Sequence, residues 1–174
     1  MVDCGVKRRS LLFWINSALQ LTLSAFGFNN LHKLTLVTMS GIVFAKDRKI
    51  SPDQFIDVLQ RSTLAERRPV YSRSRIEKML EHGNILITAW DEDLLVGVSR
   101  ALSDFAFCCY LSDLAVDEVY QHQGIGKELI RQTHIAANVD DAQLILLAAP
   151  KAVNYYPKIG MEQFKECFVI RRKS

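Results

Sequence analysis

The sequence predicts a single α/β domain, and three observations carry that prediction. Strand-like and helix-like patterns alternate from residue 40 to residue 171, as a layered α/β chain requires. A strong helix start stands at Ser51-Pro52-Asp53-Gln54. Between Leu111 and Ala137 a strand, a glycine turn and a helical pattern follow one another directly. No repeat, low-complexity tract or interior linker interrupts the order, and 174 residues suffice for one buried core.

Taken in order, Ile42 to Ala45 is a short apolar strand. Ser51 is an N-cap, Pro52 the first helical position and Gln54 the return partner of a capping box. Phe55, Val58 and Leu59 then recur at i, i+3 and i+4, which gives that helix one apolar face. Arg67-Arg68-Pro69 reads as a loop, and Ser72 or Ser74 caps a second helix with Ile76, Met79 and Leu80 inward, closed by His82-Gly83. Asn84 to Trp90 and Leu94 to Leu102 flank Asp91-Glu92-Asp93 as the arms of a hairpin. Phe105 to Val116 is a longer strand region. Helical spacing returns after Gly124, with Ile125, Leu129, Ile130, Thr133 and Ala137 on related faces. Leu144 to Ala149 is wholly apolar and is expected as a strand buried on both sides. Pro150 opens a short helix ending near Gly160, and Lys165 to Arg171 is expected as a last strand.

Charge and cysteines narrow the function classes. The formal excess of +3 lies entirely within residues 1–38, where Lys7, Arg8, Arg9 and Lys33 face Asp3 alone. The remainder is neutral, so it lacks the basic field that attracts nucleic acid. The cysteines Cys4, Cys108, Cys109 and Cys167 form no C-x-x-C pair, so no metal is expected, and their usage fits a reducing cytoplasm. Cys108 and Cys109 sit in an apolar run, where one packs as a small hydrophobe.

The chain divides into an N-terminal extension, 1–38, and a main domain, 39–174. Ser10 to His32 carries no Asp, Glu, Lys or Arg and follows Lys7-Arg8-Arg9. Three readings are open: an upstream extension with Met39 as the start, an added packed helix, or a targeting segment. The run is broken by Asn16, Ser17, Gln20, Thr22 and Ser24, which makes it a weak membrane span. No membrane is expected as a partner unless residues 10–32 act as an anchor.

The informative unit is Leu111-Ser112-Asp113-Leu114-Ala115-Val116, then Gln121-His122-Gln123-Gly124-Ile125-Gly126, then the helix. A helix N-terminus offers unpaired amides and the positive end of a dipole, which suits a pyrophosphate. Gly124 and Gly126 lack Cβ and let the backbone approach phosphate oxygens. The turn lacks the Lys-Ser/Thr ending of a P-loop, and Leu129 stands where a dinucleotide fingerprint has its third glycine. On its own the turn is equally a tight strand-to-helix connection. A second stretch, Ala152-Val153-Asn154-Tyr155-Tyr156-Pro157-Lys158-Ile159-Gly160-Met161, follows the apolar run.

Together the two stretches resemble the GNAT superfamily of N-acetyltransferases. Its Gln/Arg-x-x-Gly-x-Gly/Ala motif is matched by Gln121, Gly124 and Gly126, and its later Ala-x-x-x-Tyr-x-x-x-Gly-Phe stretch by Ala152, Tyr156 and Gly160, with Met161 in place of the aromatic. The resemblance covers about three quarters of the chain. It implies a mixed, mostly antiparallel sheet splayed between its fourth and fifth strands, here about 108–116 and 143–149, flanked by about four helices. It implies acetyl-CoA as co-substrate, with pantetheine on main-chain groups of Leu114, Ala115 and Val116. The pyrophosphate would lie on amides from Gln121 or His122, through Gln123, Gly124, Ile125 and Gly126, to Lys127. An amine acceptor then attacks the thioester directly, without an acyl-enzyme.

Tyr156 matches the position of the acid that protonates the thiolate, while Tyr155 fits an aromatic packed under the last helix. For the base, Asp113 is the nearest carboxylate, but strand alternation turns it from Ser112 unless a bulge re-aims it. A water chain assisted by Ser112 is the alternative. Ala149 replaces the Asn that many members carry at the end of the fifth strand; Asn154 is either its substitute or a surface amide. The acceptor pocket is expected around residues 51–82 and 91–105, where Asp104 and Asp113 are candidate attractors for a cationic amine. A non-catalytic acetyl-CoA sensor and a plain structural module remain as alternatives, and a homodimer is open.

Overall fold

Local signals set the first helix and the first hairpin. In the computed structural model, which describes residues 37–39, 41–46 and 48–171, the Ser51 side chain accepts from the Gln54 amide at 3.1 Å and the Gln54 side chain accepts from the Ser51 amide at 2.9 Å. That reciprocal pair starts α1 (Pro52–Arg61), whose Phe55, Val58 and Leu59 are buried. Each such side chain contributes about 1.5–3 kcal/mol by leaving water. The readings of residues 10–32, and of residues 1–38 apart from Val37 and Thr38, lie outside the described residues.

Among the described residues six strands form one sheet in chain order: β1 (Val37–Met39), β2 (Ile42–Lys46), β3 (Ile85–Asp91), β4 (Leu94–Ser103), β5 (Cys108–Val116) and β6 (Gln143–Leu146). All neighbours are antiparallel except β5 and β6. That one parallel pair needs a crossover, and α3 (Ile125–Ala136) supplies it. The sheet is therefore mixed and mostly antiparallel, as expected.

Each face has its own apolar cluster. On one side α1 and α2 (Arg73–His82) pack with Ala45, Trp90, Leu95, Val98 and Ala115. On the other, Ile125, Leu129 and Ile130 of α3 meet Phe44, Ile87, Ala89, Val96 and Leu111. Among the described residues no helix is long and apolar enough to cross a membrane.

The C-terminal part departs from expectation in three places. Residues 150–160 form short 3-10 turns at Pro150–Ala152 and Pro157–Ile159 rather than one helix. Pro157 supplies no amide and its ring crowds the preceding turn, and Gly160 ends the stretch at φ +93° with the Met161 amide on the Tyr156 carbonyl. Leu144 to Ala149 is not buried on both sides: β6 spans four residues, and Ile145 and Leu147 stand about half exposed. Lys165 to Arg171 is not a strand, and Phe164, Phe168, Val169 and Ile170 are exposed. Alternation selects a face but not a hydrogen-bonding partner, and β6 is a short edge to pair with.

Candidate active site

One extra residue in β5 sets up the site. Arg100 of β4 pairs with Asp113 and Ala101 pairs with Leu111, so Ser112 is a β-bulge. A bulge inverts the side-chain phase beyond it. Ahead of Ser112, Cys109 and Leu111 point to the α3 face; beyond it, Ala115 packs with α1 and α2, while Leu114 and Val116 turn to α3. The bulge also brings Ser112 and Asp113 to one partner. Arg100 donates from Nε to Asp113 at 2.6 Å and from Nη2 to the Ser112 hydroxyl at 2.9 Å. Its Nη1 donates to the Met79 carbonyl at 3.0 Å, on α2.

Asp113 is fully buried, and Arg68, from the loop after α1, donates to its other oxygen. The same guanidinium reaches the Ser112 carbonyl. Two guanidiniums thus enclose one carboxylate. Asp113 has neither the exposure of a base that exchanges protons with a substrate nor a free charge to attract a cationic amine. Asp104, the other expected attractor, has its Oδ1 taken by the amides of Ala106, Phe107 and Cys108. Those bonds hold its carboxyl at about 2.

Beyond the bulge β5 parts from β6. Their pairing covers only Cys108–Gln143 to Leu111–Leu146, and the rest of β5 continues alone on that side. Strand alternation decides which backbone groups enter the gap. The Val116 carbonyl points there, since it accepts from the Gln121 side chain at 3.0 Å. Leu114 shares that phase, and Ala115, out of phase, turns its main chain to β4. The expected backbone contact is therefore available at Leu114 and not at Ala115.

The glycine turn closes the same end. Asp117 is buried, accepts from Arg61 and caps the Val119 amide at 3.0 Å, fixing the exit from β5. His122 and Gly124 both take positive φ, at 62° and 87°, and Gly124 is the N-cap of α3. The first intrahelical bond runs from Glu128 to Gly124 at 3.1 Å, so the amides of Ile125, Gly126 and Lys127 precede it and lack helical acceptors. His122, Gln123 and Lys127 are exposed around this turn. A Cβ on Gly126 would come within 3.1 Å of the Tyr155 hydroxyl. A side chain there would press on that hydroxyl, so Tyr155 rather than Tyr156 lies against the cradle at Gly126. Sequence reasoning gave Tyr155 a packing role because only Tyr156 sits in the matched motif position.

Tyr155 and Tyr156 meet edge to face at 5.3 Å between centroids. Burial raises both phenols above their ordinary value, and Tyr155 adds to the rise at Tyr156. Both therefore hold their protons at neutral pH. Asn154 is exposed.

Sequence reasoning found no decisive charge in the region expected for the acceptor, and there the structure supplies one. A cavity of about 440 Å³ opens between α2, the loop before it and the bulge. Ser112 and Tyr110 of β5 line it together with Pro69, Met79 and five cations, Arg67, Arg68, Arg75, Lys78 and Arg100. The one available signal was the run Arg67-Arg68 followed by Arg75 and Lys78, spaced i, i+3 on α2. Among the described residues no group of His, Cys, Asp and Glu is placed to hold a metal.

A family model described as an acetyltransferase (GNAT) domain matches residues 53–170. The GCN5-related N-acetyltransferase 2, chloroplastic, of Arabidopsis thaliana is 36% identical over 72 residues, which are 41% of this chain. That match spans 28% of the Arabidopsis protein, under a third of its length. An uncharacterized N-acetyltransferase ycf52 of Pyropia yezoensis is 26% identical over 162 residues, covering 86% of this chain and 91% of the relative. Among solved structures, a GNAT-family acetyltransferase from Streptococcus pneumoniae TIGR4 superposes with a TM-score of 0.62. At 23% identity over 76% of this chain and 98% of that one, this is a likeness of fold.

Proposed function

The chain belongs to the acetyltransferase (GNAT) domain family, and from that premise we propose that it transfers acetyl from acetyl-CoA to a primary amine by direct attack on the thioester. The observation that carries the reading is the gap where β5 outruns β6 at Leu111–Leu146, with the glycine start of α3 at its mouth. A gap of this kind presents unpaired strand groups to an extended arm and helix amides to a pyrophosphate. Main-chain groups of Leu114 hold the arm, and the amides of Ile125, Gly126 and Lys127 hold the phosphates. When bound, acetyl-CoA supplies an activated carbonyl.

The chain's own groups do the proton work. The Tyr156 phenol, kept protonated by burial, donates to the departing sulfur. The Ser112 hydroxyl, oriented by Arg100 Nη2, positions a water that takes the amine proton. Asp113 orients the two arginines and does not touch the reacting atoms.

The test combines binding with turnover. Acetyl-CoA at about 100 times its dissociation constant should stabilise the fold by about 2.7 kcal/mol, seen as a raised melting temperature. Free thiol should then appear when an amine is added. Binding with no turnover over a broad amine panel favours a sensor instead. No thermal response to millimolar acetyl-CoA overturns the proposal.

A further inference from the structure

We propose that the acceptor amine carries an anionic group, a carboxylate or a phosphate, seated against Arg67, Arg75 and Lys78 while its amine points to Ser112. The inference rests on the acetyl-transfer reading and names the substrate class for that site.

The charge of the cavity wall carries the argument. Five cationic side chains line it, and no carboxylate does. Asp113, which is not among the lining residues, is already engaged by two of the lining cations, Arg68 and Arg100. Among the described residues Arg67, Arg75 and Lys78 form no ion pair with a carboxylate. On α2 the acids Glu77 and Glu81 are exposed and do not line the cavity. Arg73 of the same helix pairs with Glu77 one turn on, whereas Arg75 and Lys78, also neighbours on the helix surface, both face the cavity.

Placement gives the ligand a direction. The cavity shares Ser112 and Tyr110 with β5 next to the last paired residue, Leu111. A molecule filling it therefore touches both β5, at Ser112 and Tyr110, and the exposed cations of α2 and Arg67. A volume of about 440 Å³ lies in the range of small-molecule sites. A polyamine would bring further positive charge against this wall, while an oxyanion gains guanidinium hydrogen bonds. The same cations disfavour the protonated form of a nearby ammonium, which helps a site with no carboxylate base at its wall. In the transfer, the nitrogen lone pair forms the C–N bond as the C–S bond breaks. One amine proton leaves through water, and the sulfur departs as the protonated thiol.

The experiment compares amines of matched length: γ-aminobutyrate, n-butylamine and 1,4-diaminobutane, and phosphoethanolamine against ethanolamine. With the full chain and saturating acetyl-CoA, thiol release should show kcat/KM at least tenfold higher for each anionic amine than for its neutral or cationic counterpart. The double variant Arg75→Gln/Lys78→Gln should erase most of that preference through KM, with kcat for the anionic amines nearly kept. Without acetyl-CoA, γ-aminobutyrate should raise the melting temperature of the native protein, n-butylamine should not, and the double variant should lose the response. Equal or better use of the diamine, or a preference that survives the double substitution, overturns the inference while leaving acetyl transfer standing. Failure of acetyl-CoA itself to bind overturns the parent reading, and the acetyl-CoA-free measurement still decides whether the cavity selects anions.

Discussion

Removing the Asp113 carboxylate should expose how much of the fold hangs on the bulge. Asp113 is 0% exposed and Arg100 5%, so Asp113→Ala strands a buried guanidinium that loses its Nε partner at 2.6 Å. Breaking a buried pair from one side costs about 3–5 kcal/mol. Arg68, with 21% of its side chain exposed, recovers some hydration, which places the expected loss toward the lower end of that range. For a domain of this size each kcal/mol lowers the melting temperature by about 3 °C, so a fall of about 10 °C is expected. Thermal unfolding followed by circular dichroism measures it. Asp113→Leu combined with Arg100→Met removes both charges, and the pair should regain much of the loss, giving a clear coupling energy in a double-mutant cycle. An Asp113→Ala protein melting within about 2 °C of the parent would refute the reasoning. Asp113→Asn adds a kinetic check: the acid limb of its pH–rate profile should match the parent's, whereas a catalytic base would take that limb with it.

Three further outcomes follow from residues of the site and its surroundings. Tyr156→Phe should lower turnover about a hundredfold with acetyl-CoA affinity nearly kept, and Tyr155→Phe should instead weaken affinity, because its hydroxyl lies against the cradle at Gly126; the reverse pattern in steady-state kinetics would exchange their roles. Burial raises both phenols above 10.0, so their contribution to stability is complete below the unfolded value and is lost as pH climbs through the folded one. Urea titrations above pH 10 should show the Tyr156→Phe protein less alkali-sensitive than the parent. Gly83→Ala should cost about 1–3 kcal/mol, since its Cβ would sit 2.9 Å from Arg100 Cγ while the backbone itself is ordinary at φ −77°. An unchanged melting curve would show that Arg100 moves aside freely.

What the sequence revealed and what it hid have the same physical root. The capping box at Ser51, the hairpin at Glu92-Asp93 and the glycine start of α3 are local, so neighbours in sequence specify them and the structure keeps them. The phase of β5 depends on one additional residue, and Ser112 carries no mark that distinguishes it from an ordinary strand serine. Asp113 gave no sign of its partners, because Arg68 and Arg100 lie 45 and 13 positions away in the chain. The basic cavity was hidden in the same manner. Arg67, Arg75 and Arg100 come from separate segments, and each alone resembles an exposed cation. Lys165 to Arg171 alternates well, but a strand also needs an edge, and the edge belongs to β6.

The short contact between β5 and β6 divides the sheet unevenly. Four residue pairs join the last strand to the other five, along with side chains such as Tyr155 and Ile159 that lean on the main core. That seam is short, and a molecule lying along it would touch both banks. Ligand binding and cohesion of the final thirty or so residues would then be one thermodynamic event. A place where the fold is lightly sewn is thus also where a substrate can serve as the thread.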